Sequence, residues 1–266
     1  MEQRAAGIVH LVGAGPGDPE LLTLKAARIL AAAEVVVYDR LVSAGVLALA
    51  NPAAELIYVG KERARHFMRQ TEINELLVRR GQRGQRVVRL KGGDPLIFGR
   101  GGEEIEALLE AGVPFEVVPG ITAAAGCAAA TAIPLTHRDH AQTLVLTTGH
   151  TKDGEPELNW EALCQRGQTL VFYMGHKALD RLCARLMRHG LSASLPAALI
   201  ENGTLPDQRT IVATLATLAA EVERQPLAGP ALLIVGEVAA FADRGRTPAT
   251  QGPSGAGERS CPALAP

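Results

Sequence analysis

The sequence predicts an α/β protein built from two α/β domains with a ligand cleft between them. Short aliphatic runs alternate with longer amphipathic segments, which is the pattern of strands joined by crossover helices. Only 3% of the residues are aromatic although 47% are hydrophobic, so the core must be packed from aliphatic side chains, as in parallel sheets covered by helices. Glycine- or proline-rich segments follow several of the aliphatic runs, at positions where a strand would end.

The first half of the chain alternates strand and helix without interruption. Aliphatic runs predict strands at residues 8–12, 34–38, 56–59, 86–90 and 115–118. Helical spacing and terminal residues predict helices at 20–33 after Asp18-Pro19, at 43–50 capped by Ser43, at 71–81 with Thr71 as N-cap and Asn74 at the capping-box position, and at 102–111 ending at Gly112. Such alternation indicates a parallel sheet with right-handed connections.

The alternation pauses at Pro119-Gly120, where we place a domain boundary. An alanine-rich helix to residue 132 follows, and a hairpin-like pairing is indicated near Pro206-Asp207. The other predicted elements are strands at 143–148, 169–174, 197–200, 209–213 and 231–235, with helices at 160–164, at 178–189 and up to 224. The predicted domains are residues 1–119 and 120–243. Residues 244–266 are rich in Gly, Pro, Ser and Ala and are predicted to be disordered.

Charge and cysteine content narrow the classes of function. The net charge of −1 favours neither nucleic acid nor an anionic membrane as a partner. Arginines concentrate between residues 63 and 100, so a polyanionic substrate would have to meet them locally. The four cysteines have neither paired nor metal-ligand spacing, and we expect no bound metal. Without a signal-peptide pattern or an apolar run of membrane-spanning length, we expect a cytoplasmic protein.

The first glycine-rich segment, residues 13–17, leaves two kinds of site open. It follows a strand, as a dinucleotide-binding loop does, and Asp39 lies where such proteins carry a ribose-binding acid. However, Pro16 follows the second glycine, Asp18-Pro19 delays the helix, and Asp18 would bring an extra negative charge to a pyrophosphate. An NAD-dependent oxidoreductase is therefore the less favoured hypothesis.

Two further segments have the composition of a ligand-binding backbone. The pair Gly92-Gly93 within 91–95 lets the main chain approach a ligand closely, and the glycine-rich stretch 98–104 follows at once. Segment 119–123 opens a helix, whose free N–H groups and positive dipole end suit a carboxylate. Because strand ends of a parallel sheet meet at one edge, these loops predict one large site.

These loops, in their order along the chain, resemble the tetrapyrrole methylases over roughly residues 8–240. The resemblance rests on segments 12–19, 38–43, 89–95, 118–123 and 172–175. It implies a wide cleft between two domains and S-adenosylmethionine as co-substrate. The residues that it places at the cofactor are Pro16, Gly92, Gly93, Asp94, Ile97, Thr122, Ala123, Met174, Gly203 and Ala231.

Within that family, the chain is most similar to the enzymes that methylate uroporphyrinogen-III at carbons 2 and 7, giving precorrin-2 for sirohaem, cobalamin or haem d1. The resemblance implies Asp39 and Lys61 as proton acceptor and donor, and Glu103 is a second possible base. Three arginines offer planar forks for the substrate carboxylates: Arg40, Arg100 and Arg138. One departure is His140, where members of the family often carry an aromatic or aliphatic residue.

The resemblance also implies a homodimer, and the few residues before position 8 predict the form with a single function. A methyltransferase acting on a later precorrin is the nearest alternative, since it would share the cofactor loops. Related methylases that modify ribosomal RNA or make diphthine on a protein are more distant, because an RNA enzyme should carry a clear basic excess. A binding protein without catalysis fits less well with so many polar groups at strand ends.

Overall fold

A five-stranded parallel sheet forms the first half of the protein. The computed structural model describes residues 7–60, 68–149 and 158–242. The strands are β1 (Val9–Gly13), β2 (Val35–Tyr38), β3 (Glu55–Tyr58), β4 (Val87–Lys91) and β5 (Phe115–Val118). Their order across the sheet is β3-β2-β4-β1-β5, and every neighbouring pair is parallel. All five strands therefore end at the same edge, as the alternating pattern predicts.

The helices of this half are α1 (Leu24–Ala31), α2 (Ala44–Leu47), α3 (Gln70–Gln82) and α4 (Gly101–Glu110). Ser43 caps α2, and Gly112, with a φ of 64°, follows the end of α4, both as predicted. Two predicted helix starts are wrong: that of α1, predicted at residue 20, and that of α3, predicted with Thr71 as N-cap.

The first error is the start of α1. Asp18 accepts a hydrogen bond from the Glu20 backbone N–H (2.9 Å), but it caps only a short 3₁₀ turn at Pro19–Leu21. Helix α1 begins after Thr23, whose hydroxyl accepts from Ala26 N (3.1 Å). Two capping residues thus compete within one turn, and the second one starts the longer helix.

The second error is the start of α3, whose N-cap is Arg69 rather than Thr71. The Glu72 carboxylate accepts from the Arg69 backbone N–H at 2.5 Å, so Glu72 supplies the capping box that was assigned to Asn74. The Asn74 amide instead donates to the carbonyl of Glu103 (3.0 Å) and ties α3 to α4.

A mixed sheet of five strands forms the second half. Its strands are β6 (Thr143–Thr148), β7 (Gln168–Tyr173), β8 (Pro196–Glu201), β9 (Arg209–Thr214) and β10 (Ala231–Val235), in the order β6-β7-β10-β8-β9. Only β6 and β7 are parallel, and β8 and β9 form the predicted antiparallel pair. Helices of this half are α5 (Ala123–Thr131), α6 (Trp160–Leu163), α7 (Leu179–Arg188) and α8 (Leu218–Arg224).

The direction of β10 matters for the position of the site. It runs antiparallel to both β7 and β8, with Leu232 opposite Tyr173 and Ala231 opposite Glu201. The beginning of β10 therefore lies at the edge where β7 and β8 end. Residues predicted at the cofactor on three different strands of this sheet share that edge.

Aliphatic side chains cover both faces of each sheet. In the first sheet one face buries Leu11 and Leu77 and the other buries Leu30 and Leu90. The largest buried side chain, that of Phe172, packs on one face of the second sheet. The remaining cluster covers the other face with Ile133, Val171, Ile200 and Ile234. This packing agrees with the predicted aliphatic α/β core.

Two of the cysteines are structural, as predicted. Burial raises the pKa of the Cys127 thiol to about 12 and that of Cys183 to about 11, so both remain protonated and pack as small apolar groups. No helix in the described ranges is both long and apolar enough to cross a membrane. The predicted disordered segment 244–266 lies outside the described residues, and the domain boundary near residue 119 stays a prediction.

Candidate functional site

Three of the predicted loops contact each other directly at the edge of the first sheet. A Cβ on Gly13 would lie 2.5 Å from the Gly120 nitrogen, and one on Gly120 would lie 2.3 Å from the Gly93 carbonyl oxygen. Gly93 also has a φ of 69°, in the left-handed region that favours glycine. Leu41 packs against Gly92 so closely that a Cβ added to Gly92 would lie 2.5 Å from the Cβ of Leu41. These glycines are therefore required by packing between loops.

Polar contacts hold the same loops in register. Gly93 N donates to the Gly15 carbonyl (2.7 Å), and Gly15 N donates to that of Gly93 (3.2 Å). The Asp94 carboxylate accepts from Gly120 N (3.1 Å) with one oxygen and from Leu96 N (2.9 Å) with the other. Asp94 thus links the loop after β4 to the loop after β5, which lies before α5.

Tyr173, at the end of β7, joins this assembly from the second sheet. Its hydroxyl lies 2.5 Å from Thr122 Oγ1 and accepts from Ala124 N (3.1 Å) at the start of α5. Its ring centre lies 4.7 Å from that of Phe98. Burial raises the pKa of Tyr173, so the phenol stays protonated. The Ala124 N–H, one of the helix-start donors that we expected to bind a ligand carboxylate, is thus already bonded to Tyr173. Tyr173 itself was not predicted as a site residue.

Backbone strain collects in the same loops. Six described residues other than glycine have a positive φ, and five of them lie beyond strand ends. These five are Phe98, Arg100, Met174, Asn202 and Thr204. Such conformations persist only where the surroundings enforce them, and they concentrate at ligand sites. The strain therefore identifies the loops at these strand ends as the candidate site in both halves of the protein.

The first loop of the first half touches the loop after β8. Asp18 N donates to Thr204 Oγ1 (3.1 Å), and the site of a Cβ on Gly17 lies 2.8 Å from the Leu205 side chain. The Pro16 ring packs on Gly126 of α5, where a Cβ would come within 2.5 Å. Three of the predicted cofactor residues lie in or beside these contacts: Pro16, Gly203 and Thr122.

Gly203 and Ala231 are arranged around Glu201, a carboxylate that is buried at the end of β8. Its oxygens accept from Arg209 Nε (2.6 Å), Ala228 N (2.5 Å) and Gly229 N (2.7 Å). Burial alone would raise the pKa of Glu201, but the hydrogen bonds from the Gly229 N–H, Arg209 and the Ala228 N–H hold it below its ordinary value. Glu201 thereby ties the loop after β8 to the loop before β10.

Four charged side chains form a buried charge cluster beside the loop after β2. Its members are Asp39, Arg89, Lys91 and Glu104. The side chains of Arg89, Lys91 and Glu104 are 4%, 3% and 0% exposed. Burial is the main cause that lowers the pKa of Lys91. Sequence reasoning singled out only Asp39, although two cations in an otherwise aliphatic central strand were a usable signal, because buried cations require buried anions.

Arg100 and Glu103 pair with each other. Arg100 has a left-handed backbone (φ 60°), and its Nε and Nη2 lie 2.7 Å from the two Glu103 oxygens. The hydrogen bond from Arg100 lowers the pKa of Glu103, which makes Glu103 a weak proton acceptor while the pair persists. Asp39 is not part of this pair, and its carboxylate contacts Arg89 instead. Lys61 lies outside the described residues.

The remaining predicted substrate residues, Arg40 and Arg138, are exposed. The loop that carries Arg138 is attached to the C-terminal end of the described chain, because His140 Nδ1 lies 2.7 Å from Glu237 Oε2. The His140 ring also packs 5.5 Å from that of Phe241. His140 thus anchors the loop beside Arg138, which gives a structural reason for the departure noted in the sequence.

A cleft of about 450 Å³ lies far from these loops. Its lining residues Arg80, Gln82, Arg83 and Gln85 surround the beginning of β4, whereas the strained loops follow the other end of that strand. Within the described ranges, no three His, Cys, Asp or Glu side chains are grouped so that they could hold a metal ion. The strand-end loops therefore remain the site with the most organised chemistry.

Comparison with known families and curated proteins gives one consistent result. The model of the Tetrapyrrole (Corrin/Porphyrin) Methylases matches residues 9–219. The siroheme synthase of Azotobacter vinelandii is 58% identical over 241 residues, which are 91% of this chain and 52% of that protein. The siroheme synthase of Methylococcus capsulatus is 58% identical over 89% of this chain and 50% of its own length. The chain spans about half the length of the curated relatives it matches.

Two solved structures are similar to this chain over most of its length. The uroporphyrin-III C-methyl transferase from Thermus thermophilus, complexed with S-adenyl homocysteine, is 44% identical with a TM-score of 0.76, over 88% of this chain and 99% of that chain. A cobalt precorrin-4 methyltransferase is 28% identical with a TM-score of 0.78, over 87% of this chain and 95% of that one. The likeness to these two structures therefore extends over most of the chain.

Proposed function

The chain belongs to the tetrapyrrole (corrin/porphyrin) methylases, and on that premise we propose that it transfers methyl groups from S-adenosylmethionine to carbons 2 and 7 of uroporphyrinogen-III. The match of the family model to residues 9–219 confirms the family resemblance inferred from the loop motifs. The observation that carries the substrate assignment is the 44% identity, over 99% of its length, to a uroporphyrin-III C-methyl transferase complexed with S-adenyl homocysteine. The product would be precorrin-2, and the siroheme synthase relatives favour the sirohaem pathway.

We propose that backbone and small side chains of both halves bind the cofactor. The expected contacts are Pro16, Gly92, Gly93, Asp94, Ile97, Thr122, Ala123, Met174, Gly203 and Ala231. Support comes from the loop contacts that bring Gly93 to Gly15 and Gly203 to Cys127 of α5. Adenosylmethionine carries an ammonium, a carboxylate and an adenine, so it needs both donors and acceptors, and backbone from several loops can offer both.

Bound S-adenosylmethionine would supply an electrophilic sulfonium methyl. The work of the protein is then to orient an electron-rich pyrrole carbon toward that methyl and to exclude water, which contributes to rate through positioning. Methylation leaves the macrocycle cationic until it loses a proton. Asp39 is proposed to stabilise this charge or accept the proton with help from Lys61, and Arg40, Arg100 and Arg138 are proposed to anchor carboxylates.

Glu103 can act as a base in this scheme only after it is released from Arg100. Its carboxylate occupies the Arg100 fork through two hydrogen bonds of 2.7 Å. A carboxylate of the substrate would compete for the same donors. If it displaces Glu103, the hydrogen bond that lowers the pKa of Glu103 is lost, and Glu103 becomes a better base. This is how Glu103 could serve as the second base.

The deciding experiment uses purified protein, S-adenosylmethionine with a labelled methyl group, and uroporphyrinogen-III generated under anaerobic conditions. Two labels per macrocycle support the proposed function. Tight binding of adenosylhomocysteine without methyl transfer keeps the cofactor assignment and moves the substrate to a later precorrin, as the likeness to a cobalt precorrin-4 methyltransferase allows. Absence of binding to either adenosyl compound would contradict the cofactor and reopen the NAD hypothesis.

Assembly and location belong to the same proposal. We expect a homodimer in the cytoplasm, with no nucleic acid or membrane as partner. Light scattering coupled to size-exclusion chromatography measures the mass in solution. A mass of twice the 28.0 kDa of one chain supports the dimer.

A further inference from the structure

The charge cluster places a fully buried carboxylate behind Asp39. Glu104 Oε1 accepts hydrogen bonds from Arg89 Nε (3.0 Å), Lys91 Nζ (3.0 Å) and Gln70 Nε2 (3.2 Å). Its other oxygen is buried and has no hydrogen-bond partner among the described residues. Glu104 is therefore an anion held by donors from β4 and α3, and it lies one residue from Glu103 without sharing its exposure.

Arg89 transmits the position of Glu104 to Asp39. The Arg89 Nε donates to Glu104, and Nη1 donates to the carbonyls of Leu90 (3.1 Å) and Val37 (3.4 Å). Because the guanidinium is planar and rigid, these bonds determine where Nη2 points. Nη2 lies 3.3 Å from Asp39 Oδ2.

Asp39 is the outermost member of the cluster. Its Oδ1 accepts from Leu41 N (3.0 Å), which determines one side of the carboxylate, and Arg89 faces the other oxygen. A quarter of the Asp39 side chain is exposed, whereas the other three members are enclosed. The carboxylate proposed to face the substrate is thus held from behind by a charge that the substrate cannot reach.

Burying such charges is costly, and an apolar replacement of similar volume is often at least as stable. Stability alone is therefore a weak reason for four charged groups at this place. The formal charges of the cluster sum to zero, with two carboxylates and two cations, so that the exposed member is balanced from within the protein.

We propose that Glu104 is a positioning residue, which holds Arg89 in the plane that orients the Asp39 carboxylate toward the substrate. The inference rests on the proposed function, since it assumes that Asp39 acts in methyl transfer. It extends that function to residues that touch neither ligand. Removing the charge of Glu104 should release Arg89 and disorient Asp39 without changing the cofactor loops.

The test compares Glu104→Gln with wild type by three measurements. The first is a crystal structure with adenosylhomocysteine, in which we expect the Arg89–Asp39 contact to be lost. The second is adenosylhomocysteine titration, where the dissociation constant should change less than about twofold. The third is methyl transfer per titrated site, where kcat should fall by about tenfold or more, the size typical of lost supporting contacts, with KM little changed.

A double-mutant cycle with Asp39→Asn separates positioning from general weakening of the fold. If Glu104 acts through Asp39, Glu104→Gln should lower kcat by less than about twofold in the Asp39→Asn background, because coupled residues are not additive. Glu104→Asp should partly restore turnover. Additive losses, or an Asp39 carboxylate that stays in place in the Glu104→Gln crystal, would overturn the proposal.

Two further variants keep the test decisive. Arg89→Lys retains the charge balance but loses the planar fork, and it should reproduce the loss of turnover even if Glu104→Gln does not fold. Glu55→Gln removes the half-exposed carboxylate of β3 that pairs with Arg80 of α3, and it should leave kcat unchanged. The crystal and titration need no tetrapyrrole, so they judge the positioning role even if uroporphyrinogen-III proves to be the wrong substrate.

Discussion

Among the described residues, each half of the protein buries one glutamate, Glu104 on α4 and Glu201 at the end of β8, and the two have different hydrogen-bond partners. Glu104 accepts from the side chains of Arg89, Lys91 and Gln70, whereas Glu201 accepts from Arg209 and two backbone N–H groups. A carboxylate that accepts hydrogen bonds from backbone N–H groups, as Glu201 does, fixes the conformation of the loops that carry those groups. A carboxylate bound to other charges can instead orient a neighbouring charged group, which we propose is Asp39. On the proposed function, the first carboxylate would orient Asp39, and the second would hold the loops that carry Gly203 and Ala231.

The largest difference should appear in stability after truncation. Glu104→Ala leaves Lys91 without its carboxylate and Arg89 with Asp39 as its remaining anion, so we expect a loss of about 3–5 kcal/mol in the free energy of unfolding. Glu201→Ala should cost less, about 1–3 kcal/mol, because the side chain of Arg209 is 42% exposed and can be hydrated. Urea denaturation of both variants measures the difference. Equal losses would contradict the assignment of the buried cations to Glu104.

The second difference concerns ligand affinity. Because Glu201 holds the loops that carry Gly203 and Ala231, Glu201→Ala should weaken adenosylhomocysteine binding by about tenfold, which corresponds to about 1.4 kcal/mol. Turnover at saturating cofactor should fall much less. Calorimetric titration measures the affinity, with Glu221→Ala, which removes an exposed pair with Arg224, as the control. Unchanged affinity would separate Glu201 from the cofactor site.

The third prediction concerns Tyr173, whose hydroxyl links the two halves of the protein. Its removal should have a smaller effect on stability or cofactor binding than the changes at Glu104 and Glu201. Tyr173→Phe removes the contact with Thr122 and leaves the N–H of Ala124 without its acceptor. We expect a loss of about 1 kcal/mol in stability or cofactor binding, since the ring and its contact with Phe98 remain. Thermal unfolding with and without adenosylhomocysteine distinguishes the two outcomes, and no change in either would show that the hydroxyl is dispensable.

The smallest expected effect is the pH dependence of the Glu201 contribution. The pKa of Glu201 is lowered in the folded protein relative to about 4.3 in an unfolded chain. Its stabilisation is therefore fully present above that unfolded value and is lost as the pH falls toward the folded pKa. The gap in unfolding free energy between wild type and Glu201→Gln should be constant from about pH 7 to 5.5 and shrink below about pH 4. A gap that widens with acid would contradict the assigned hydrogen bonds.

Much of the architecture follows from local patterns. The strands β5, β6 and β10 begin and end at the predicted residues, because each is rich in β-branched, aliphatic or aromatic residues and is bounded by Gly, Pro or polar residues. Helix starts were less predictable, since Asp18 and Thr23 lie close together and either can cap a turn. The site loops were predicted for the same reason as the strands: glycine and proline punctuate the chain at strand ends.

The sequence predicted the loops of the candidate site but not the charge cluster beside them. The loop of Gly93 was recognisable from its paired glycines, and Thr122 was placed at the site by the family resemblance of its segment. No local pattern identifies Arg89 and Glu104, because their role depends on their contacts with each other and with Asp39. Asp39 lies 50 residues before Arg89. The role of Tyr173 likewise depends on Thr122, 51 residues away. Partner choice over such separations leaves no local pattern.

Amino-acid order was therefore sufficient for the alternation of strand and helix, for the aliphatic core and for the family, because propensity, burial period and loop motifs are local properties. Folding in three dimensions set the antiparallel direction of β10, which brings Ala231 beside the ends of β7 and β8. It also brought Asp39, Arg89, Lys91 and Glu104 together as one group whose formal charges sum to zero. Strand direction and charge pairing are settled by the cost of leaving backbone groups and ions without partners inside the protein, and that cost exists only once distant segments meet.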